Sequence, residues 1–343
     1  MRRKVRTLTR KCNSMRQSNI ELCRIASIVL ILLVHSAFAA NGIPTTLSAS
    51  SLWLIILESI SIIGVNVFIL ISGYFSIKLK PQTIYTLVFA CAFYYILLTG
   101  TSVLLGEPFR IKSLLFVSHS HYFILDYLGL ALLSPILNTF AENANKKTFF
   151  STLLLLLVYQ TYFGYIPGAS RTEFDLGYSL MSFSILYLIA RYIKLHGVHK
   201  TIKEFSGSLY ITATALLATA ICICLKTNHN GAIGLLIAYN NPLIIFSAVC
   251  FFLFFEKQDI SSNKVINHIA KSTLGILLFH ASTLGGSPIW KHWKIQFRNL
   301  TADFEFTNVI LWIGLIILFF FIAVSVDQLR LYLSDKTLKI FKK

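Results

Sequence analysis

The chain has 343 residues, of which 55% are hydrophobic and only 13% are charged, and its mean hydropathy is +0.69. Soluble domains carry roughly 25% charged residues, so this composition excludes an ordinary soluble protein and indicates a helical membrane protein in contact with lipids. The net charge of +17 does not indicate a nucleic-acid partner, because the basic residues lie at the ends of apolar segments rather than among surface aromatic residues.

Apolar segments long enough to cross a bilayer recur along the whole chain. They lie at about 20–40, 52–75, 82–104, 121–140, 148–166, 175–195, 206–225, 233–255, 266–286 and 306–326. The sequence therefore predicts an all-α integral membrane protein with about ten transmembrane helices. Most of the 31 lysines and arginines fall in segments that such a protein keeps inside, which predicts that both termini are cytoplasmic.

The sequence predicts a protein of the plasma or inner membrane, and its chain divides into three parts. We expect a basic cytoplasmic N-tail at 1–17, a transmembrane domain at 18–326 and a basic cytoplasmic C-tail at 327–343. An alternative prediction is a secretory signal peptide, because Ala37-Phe38-Ala39 resembles a cleavage site that follows an apolar run. Cleavage there would remove both Arg24 and His35 from the mature protein.

The first apolar segment carries ionisable residues that a simple membrane anchor would not contain. They are Glu21, Arg24 and His35. An ionisable side chain within a transmembrane helix costs roughly 2.5–3.5 kcal/mol to insert, so such residues usually face a helix bundle or a cavity and serve a function. The spacing of Arg24 and His35 places them on one helix face, about 16 Å apart along the axis.

Three ionisable residues are predicted to lie at the same depth in the membrane. His35, Glu58 and His280 each fall near the outer end of their helix, whereas Arg24 lies near the inner end of the first helix. A histidine oriented by a carboxylate can act as a general base on a hydroxyl, or it can accept an acyl group. A structural alternative is that Glu58 and His35 only satisfy each other, and a proton-coupled transporter would use the same residue types.

An arginine at the inner end could bind the phosphate groups of a ligand such as coenzyme A. Asp126 is a lone acid within the fourth predicted helix; it could pair with a cation of a neighbouring helix, or it could line the substrate path and is then a further candidate for substrate binding. The outer loop near 287–305 is aromatic and basic, which predicts either an interfacial anchor or a rim that holds an anionic or sugar acceptor. No metal site is predicted, because Cys222 and Cys224 lie on different sides of their helix.

Several segments in order resemble the membrane-bound acyltransferase-3 family. The resemblance extends from about 18 to 325 and rests on NIELCRIASIVLILLVH in the first helix, GVNVFILISGYF in the second, HYFILDYLGLALLSPILN in the fourth, and LYLIARYIK, YNNPLIIFSAVCFFLFF and IAKSTLGILLFH in later helices. It argues against a cleaved signal peptide. It implies an integral-membrane O-acyltransferase, with acetyl as the expected acyl group, and a saccharide of the cell envelope, including lipid-linked forms, as the acceptor.

The resemblance also assigns roles to individual residues. The motif's arginine is Arg24, and its histidine, which the family implicates in catalysis, is His35. Glu58 joins His35 as a candidate catalytic residue from its depth alone. The remaining candidates for substrate binding are Asn66, Ser72 and Tyr74 in the second helix, Asp126, His280, and Lys78 and Lys80.

The expected donor is acyl-CoA acting as a substrate, with no bound cofactor. Many family members carry an arginine-rich segment after the second helix for the CoA phosphates, whereas this chain has only Lys78 and Lys80 there. Two lysines can still bind phosphate as point charges. The rival hypotheses are an exporter of polysaccharide or lipid-linked glycan without acyl transfer, and a small-solute carrier, which would require inverted repeats that the sequence does not contain.

Overall fold

The computed structural model describes residues 17–106, 122–164, 174–281, 288–302 and 305–340. All regular secondary structure in these ranges is helical, as predicted. Almost all of the predicted N-tail, at 1–16, lies outside the described residues, as does the segment 107–121 before the fourth predicted helix.

Sixteen α-helices follow one another in the described ranges. They are α1 (Ser18–Ser36), α2 (Phe38–Asn41), α3 (Ala49–Ser61), α4 (Gly64–Phe75), α5 (Pro81–Leu104), α6 (Tyr122–Asn143), α7 (Lys146–Gly164), α8 (Leu180–His196), α9 (Lys200–Glu204), α10 (Ser206–Lys226), α11 (Ile233–Leu236), α12 (Pro242–Glu256), α13 (Lys264–Ile269), α14 (Thr273–Ala281), α15 (Pro288–Ala302) and α16 (Phe306–Ile340). Short 3₁₀ turns precede α8, α11 and α14.

Six helical segments in the described part of the chain are long and apolar enough to cross a membrane. They are Ser18–Asn41, Ala49–Phe75, Pro81–Leu104, Tyr122–Asn143, Ser206–Lys226 and Phe306–Lys339. Helices α7, α8, α12 and α14 occupy the four other predicted spans, but they do not meet the same criteria of length and hydropathy. The protein is therefore a helical membrane protein, and the count of ten spans and the side of each terminus stay predictions.

Several spans predicted as single helices are broken in the structure. The first breaks at Ala37, just after His35, and the second breaks at Ile62, just after Glu58. The span predicted at 233–255 is interrupted before Pro242, where the Asn241 side chain accepts the Leu243 N–H and caps α12. Such breaks in a membrane protein are tolerated where neighbouring helices or a cavity satisfy the freed backbone groups.

The segment predicted as an outer loop at 287–305 instead forms the amphipathic helix α15. Trp290, Trp293 and Phe297 recur at helical spacing, and all three rings pack in one aromatic cluster. Both tryptophans also contact Phe319 of α16. The expectation of an irregular loop was wrong because this aromatic stripe finds a partner helix that the local sequence does not reveal.

The last helix continues beyond the predicted end at 326. Helix α16 runs to Ile340, and Asp327, Arg330 and Ser334 are buried within the predicted C-tail. Because a buried acid and a buried base one turn apart neutralise each other, the helix continues past the end of its apolar stretch.

Close helix packing fixes the height of α1 and α4 in the bundle. A methyl group at Gly64 of α4 would lie 2.8 Å from Cγ1 of Ile31 in α1, so a glycine is required at this crossing. At the start of α1, the Asn19 amide donates to the carbonyl oxygens of Phe255, Glu256 and Gln258. These bonds hold α1 against the end of α12 and the residues that follow it.

Candidate active site

Two histidines from different helices lie side by side. The rings of His35 in α1 and His280 in α14 make an edge-to-face contact with centroids 4.9 Å apart. Nδ1 of each ring lies close to a carbonyl oxygen one turn earlier in its own helix, 2.7 Å from that of Ile31 and 3.1 Å from that of Ile276. A carbonyl oxygen only accepts, so Nδ1 carries the proton in each neutral ring and Nε2 keeps its lone pair. The pair therefore offers two proton-accepting nitrogens.

The two free ring nitrogens differ in their surroundings. His280 is buried, and its Nε2 makes no hydrogen bond to any of the described residues. His35 is half-buried and lines two cavities. A buried nitrogen without a partner carries a desolvation cost of about 1–3 kcal/mol, which a donor such as a substrate hydroxyl would remove. His280 is thus suited to bind a hydroxyl beside His35.

A cavity of about 330 Å³ extends from His35 towards the break that follows α1. We call it the His35 cavity; its polar and aromatic lining residues include His35, Glu58, Tyr178 and Tyr239. A smaller cleft of about 50 Å³ also borders the His35 ring. We call it the His280 cleft; it is lined by His35, His280, Ile31, Val65, Phe123 and Leu277, among others.

Glu58 lines the His35 cavity but does not pair with the His35 ring. One of its carboxylate oxygens accepts the backbone N–H of Phe38, at 3.2 Å, and this bond is buried. Among the described residues, Glu58 makes no hydrogen bond to His35, so the direct pairing expected from the sequence is absent. The carboxylate instead holds the start of α2, three residues after His35, and its influence on the ring is indirect.

Arg24 lies at the far end of the same helix face and lines a cavity of about 630 Å³. We call this the Arg24 cavity. Nη1 of Arg24 lies 3.3 Å from Oε2 of Glu21. The Arg24 side chain is still partly exposed and lines the cavity. Ser72 and Tyr127 also line it, with their hydroxyl oxygens 3.3 Å apart. The cavity is large enough for a substantial part of a small-molecule ligand.

The Arg24 cavity and the His280 cleft lie on the same faces of the same four helices. Each helix contributes a residue to the first and, one or two turns away, a residue to the second. The pairs are Arg24 and Ile31 in α1, Phe68 and Val65 in α4, Tyr127 and Phe123 in α6, and Leu274 and Leu277 in α14. The rings of Phe68 and Phe123, which line the Arg24 cavity and the His280 cleft respectively, touch with centroids 5.8 Å apart.

Helix α15 packs against the histidine pair through His280. Trp290 is buried and packs edge to face on the His280 ring, with centroids 5.4 Å apart. One turn later, burial and the neighbouring Arg298 guanidinium lower the pKa of Lys294 below its usual value. The Arg298 side chain donates to the carbonyl oxygen of Ala40 and so fastens α15 to the end of α2.

The comparison with known families supplies the decisive observation about identity. The family model Acyl_transf_3, an acyltransferase domain, matches residues 17–327, which is nearly the whole chain. The chain belongs to the acyltransferase-3 family. No curated protein and no solved structure matches it.

As an acyltransferase-3 member, the protein is a membrane acyltransferase, and the matched region contains both histidines and Arg24. The family match does not by itself assign a role to any side chain.

The second-helix signature of this acyltransferase does not gather its polar residues at one place. Ser72 lies in the Arg24 cavity, whereas the Asn66 amide is buried and donates to the Tyr239 carbonyl oxygen at 2.8 Å. The Tyr74 hydroxyl donates to the Glu256 carboxylate at 3.1 Å, and its ring lies 4.2 Å from Nζ of Lys194. Asn66 and Tyr74 thus have structural partners here, and only Ser72 accompanies Arg24.

Lys78 and Lys80 lie in the connection between α4 and α5. Both side chains are exposed, and neither lines the Arg24 cavity. Ile77 anchors this connection, because its N–H donates to the Tyr187 hydroxyl and its carbonyl oxygen accepts from the Asn138 amide. The structure therefore does not bring these lysines together with Arg24.

Asp126 is half-buried in α6, the helix that also carries Phe123 and Tyr127. Unlike those two aromatic residues, it is not part of the lining of the Arg24 cavity, the His35 cavity or the His280 cleft.

Within the described ranges, no group of three or more His, Cys, Asp or Glu side chains could hold a metal ion.

Sequence reasoning missed the basic residues that complete the Arg24 cavity. Lys271 precedes α14, and Arg330 lies in the part of α16 that was predicted to be a tail. The available signal was the acid–base pair Asp327 and Arg330 at a spacing of three residues directly after an apolar span. A positive-inside count treats that arginine only as a topological marker and does not predict its burial.

The contact between Glu58 and Phe38 predicts different effects for two substitutions. Glu58→Gln is expected to retain most acyl transfer, because the amide oxygen can accept the same N–H. Glu58→Ala leaves that buried N–H unpaired, at a cost of about 1–3 kcal/mol, and releases the backbone beside His35. The measurement is the rate of acyl transfer by each variant in membranes that contain matched amounts of protein. Equal losses would show that the charge of Glu58 is needed and would contradict a purely positioning role.

Proposed function

We propose that this protein is an O-acyltransferase that moves an acyl group, expected to be acetyl, from acyl-CoA on the predicted cytoplasmic side to a hydroxyl of a cell-envelope saccharide. The observation that carries the proposal is the alignment of the Arg24 cavity and the histidine pair on the same four helices. A donor bound through its phosphates near Arg24 would lie about 16 Å, along the helix axis, from the ring of His35.

His35 is the proposed catalytic residue. In a direct transfer, its Nε2 takes the proton of the acceptor hydroxyl while the acceptor oxygen attacks the thioester carbonyl carbon. The carbon–sulphur bond breaks, and the CoA sulphur leaves with the electron pair and receives the proton from the imidazolium. The products are an ester on the saccharide and free CoA.

A two-step route uses the same atom as a nucleophile. Nε2 attacks the thioester carbonyl carbon, the carbon–sulphur bond breaks, and CoA leaves as a thiolate. The acceptor hydroxyl then attacks the acylated imidazole, and its proton goes to the thiolate. Both routes need Nε2 to be unprotonated, which the hydrogen bond between Nδ1 and Ile31 favours.

The surroundings of His35 have distinct proposed roles. His280 accepts, through Nε2, a hydrogen bond from a neighbouring hydroxyl of the saccharide, and the His35 cavity holds the adjoining part of that saccharide. Glu58 positions the backbone after His35 through Phe38. Trp290 keeps water away from the histidine pair on the outer side, which favours transfer to the acceptor over hydrolysis.

Transfer of labelled acetyl groups from acetyl-CoA tests the proposal. Membranes from cells that express the protein should move label into a glycan fraction, whereas membranes from cells that carry an empty vector should not. If neither membrane consumes acetyl-CoA, and deletion nevertheless removes the surface glycan, an exporter without acyl transfer would replace this proposal.

A further inference from the structure

A buried network of three residues lies beside the Arg24 cavity. Arg330 and Asp327 of α16 form a two-pronged ion pair, with Nε to Oδ1 at 2.7 Å and Nη2 to Oδ2 at 3.0 Å. The Tyr94 hydroxyl donates to Oδ1 of Asp327 at 2.9 Å. The side chains of Asp327 and Arg330 are 0% and 2% exposed. Such a buried pair holds the guanidinium in a fixed orientation.

One nitrogen of this guanidinium is left over. Both carboxylate oxygens of Asp327 are already occupied by Nε and Nη2, and Nη1 of Arg330 makes no hydrogen bond to the described residues. Arg330 is nevertheless one of the residues that line the Arg24 cavity. An arginine that is held by one carboxylate and retains a free donor group beside a cavity is well placed to bind an anion.

The charge of the Arg24 cavity favours the same kind of ligand. Arg24, Lys271 and Arg330 contribute three cationic side chains from three separate elements, and His268 lies beside them. Among the described residues that line the cavity, Asp335 is the one acid. Lys271 is exposed and can follow a ligand, whereas Arg330 is fixed. The combination of a fixed guanidinium and flexible cations suits a ligand with several phosphate groups.

We propose that Arg330, together with Lys271 and Arg24, binds the phosphate groups of the acyl donor, and that Asp327 positions Arg330 for this contact. This assignment rests on the proposed function, because it takes acyl-CoA to be the donor. It replaces Lys78 and Lys80, which lie outside the cavity, as the phosphate-binding residues. The headgroup of an anionic lipid offers the same phosphate chemistry and is the alternative source.

Binding of CoA to the full-length protein in phosphatidylcholine nanodiscs tests the assignment. Lys271→Gln is expected to weaken CoA binding by about tenfold, because it removes one charged hydrogen bond. Arg330→Lys keeps the charge but loses the fork and should also weaken binding. Lys264→Gln is the matched control, because Lys264 is an exposed lysine in α13 that does not line the cavity. It should bind CoA as the wild type does.

A donor without phosphates separates binding from chemistry. Transfer from the acetyl thioester of N-acetylcysteamine should be unchanged by Lys271→Gln, whereas transfer from low concentrations of acetyl-CoA should fall. If Lys271→Gln and a folded Arg330→Lys both bind CoA as tightly as the wild type, the assignment is wrong. Loss from the purified variants of phosphatidylglycerol that co-purifies with the wild type, with CoA binding intact, would assign the cavity to a lipid headgroup and also overturn the assignment.

The outcomes distinguish this assignment from the proposed function. If the wild type transfers acetyl groups but the variants bind CoA normally, only the phosphate site is wrong. If the wild type transfers nothing from either thioester and yet CoA binding depends on Lys271, the site is correct and the proposed reaction is wrong.

Discussion

His35→Ala is expected to lower acyl transfer by roughly 10²–10⁴-fold, the usual contribution of a positioned general acid–base group. The imidazole is held by the Ile31 carbonyl oxygen and leaves Nε2 available at the junction of two cavities. Alanine removes that nitrogen, and the neighbouring His280 belongs to a different helix and cannot occupy its place. The measurement is the rate of labelled acetyl transfer in membranes that contain equal amounts of each protein.

A second histidine substitution provides the control for this experiment. His292 lies in α15 and is exposed. It does not line the His35 cavity, the His280 cleft or the Arg24 cavity. His292→Ala should therefore insert and transfer acetyl groups at the wild-type rate. Full activity of a normally inserted His35→Ala protein would refute the central role of this residue in both proposed routes.

Asp327→Ala is expected to cause the largest loss of stability among the substitutions considered. It leaves the Arg330 guanidinium buried without its counter-ion, and breaking a buried ion pair in this way costs about 3–5 kcal/mol. It also removes the acceptor of the Tyr94 hydroxyl, which ties α16 to α5. The free energy of unfolding, measured by titration with sodium dodecyl sulphate in mixed micelles, would report the loss.

The end of the same helix supplies the comparison. Asp335 is exposed and two turns beyond Asp327, so Asp335→Ala should change the free energy of unfolding by no more than about 0.5 kcal/mol. Gly275 lies against Asp327 and Tyr94 so closely that a methyl group would collide with both. Gly275→Ala should therefore destabilise the protein through the same network. Similar stability of Asp327→Ala and Asp335→Ala would contradict the importance of the buried pair.

Much of the site could be anticipated from residue types and depth. The cost of placing ionisable groups in a membrane pointed to Arg24, His35 and His280, and helical periodicity placed the first two on one face. Similar distances from the outer helix ends predicted that His35 and His280 lie in one layer, and their rings are in contact. Depth arguments succeed here because the bilayer fixes the approximate height of every residue in a span.

Other assignments failed because depth does not specify the partner of a side chain. Glu58 lies at the expected level beside the His35 cavity, but the break at Ala37 exposes the Phe38 N–H, and the carboxylate accepts this donor instead of the ring. Tyr74 follows Ser72 in the same helix, but its hydroxyl donates to Glu256, and it does not line the Arg24 cavity. Rotation about the helix axis and local breaks decide such contacts, and neither is visible in a hydropathy pattern.

The sequence by itself determined the helical membrane class, the family and the first-helix pair of Arg24 and His35, because these depend on composition, local periodicity and motif order. The tertiary structure alone decided which residues share a cavity. Lys271 and Arg330 join Arg24, and α15 closes over His280, through contacts between segments that are far apart in the chain. The energy of those contacts comes from helix packing and from pairing buried charges, which depend on the whole bundle rather than on any one segment.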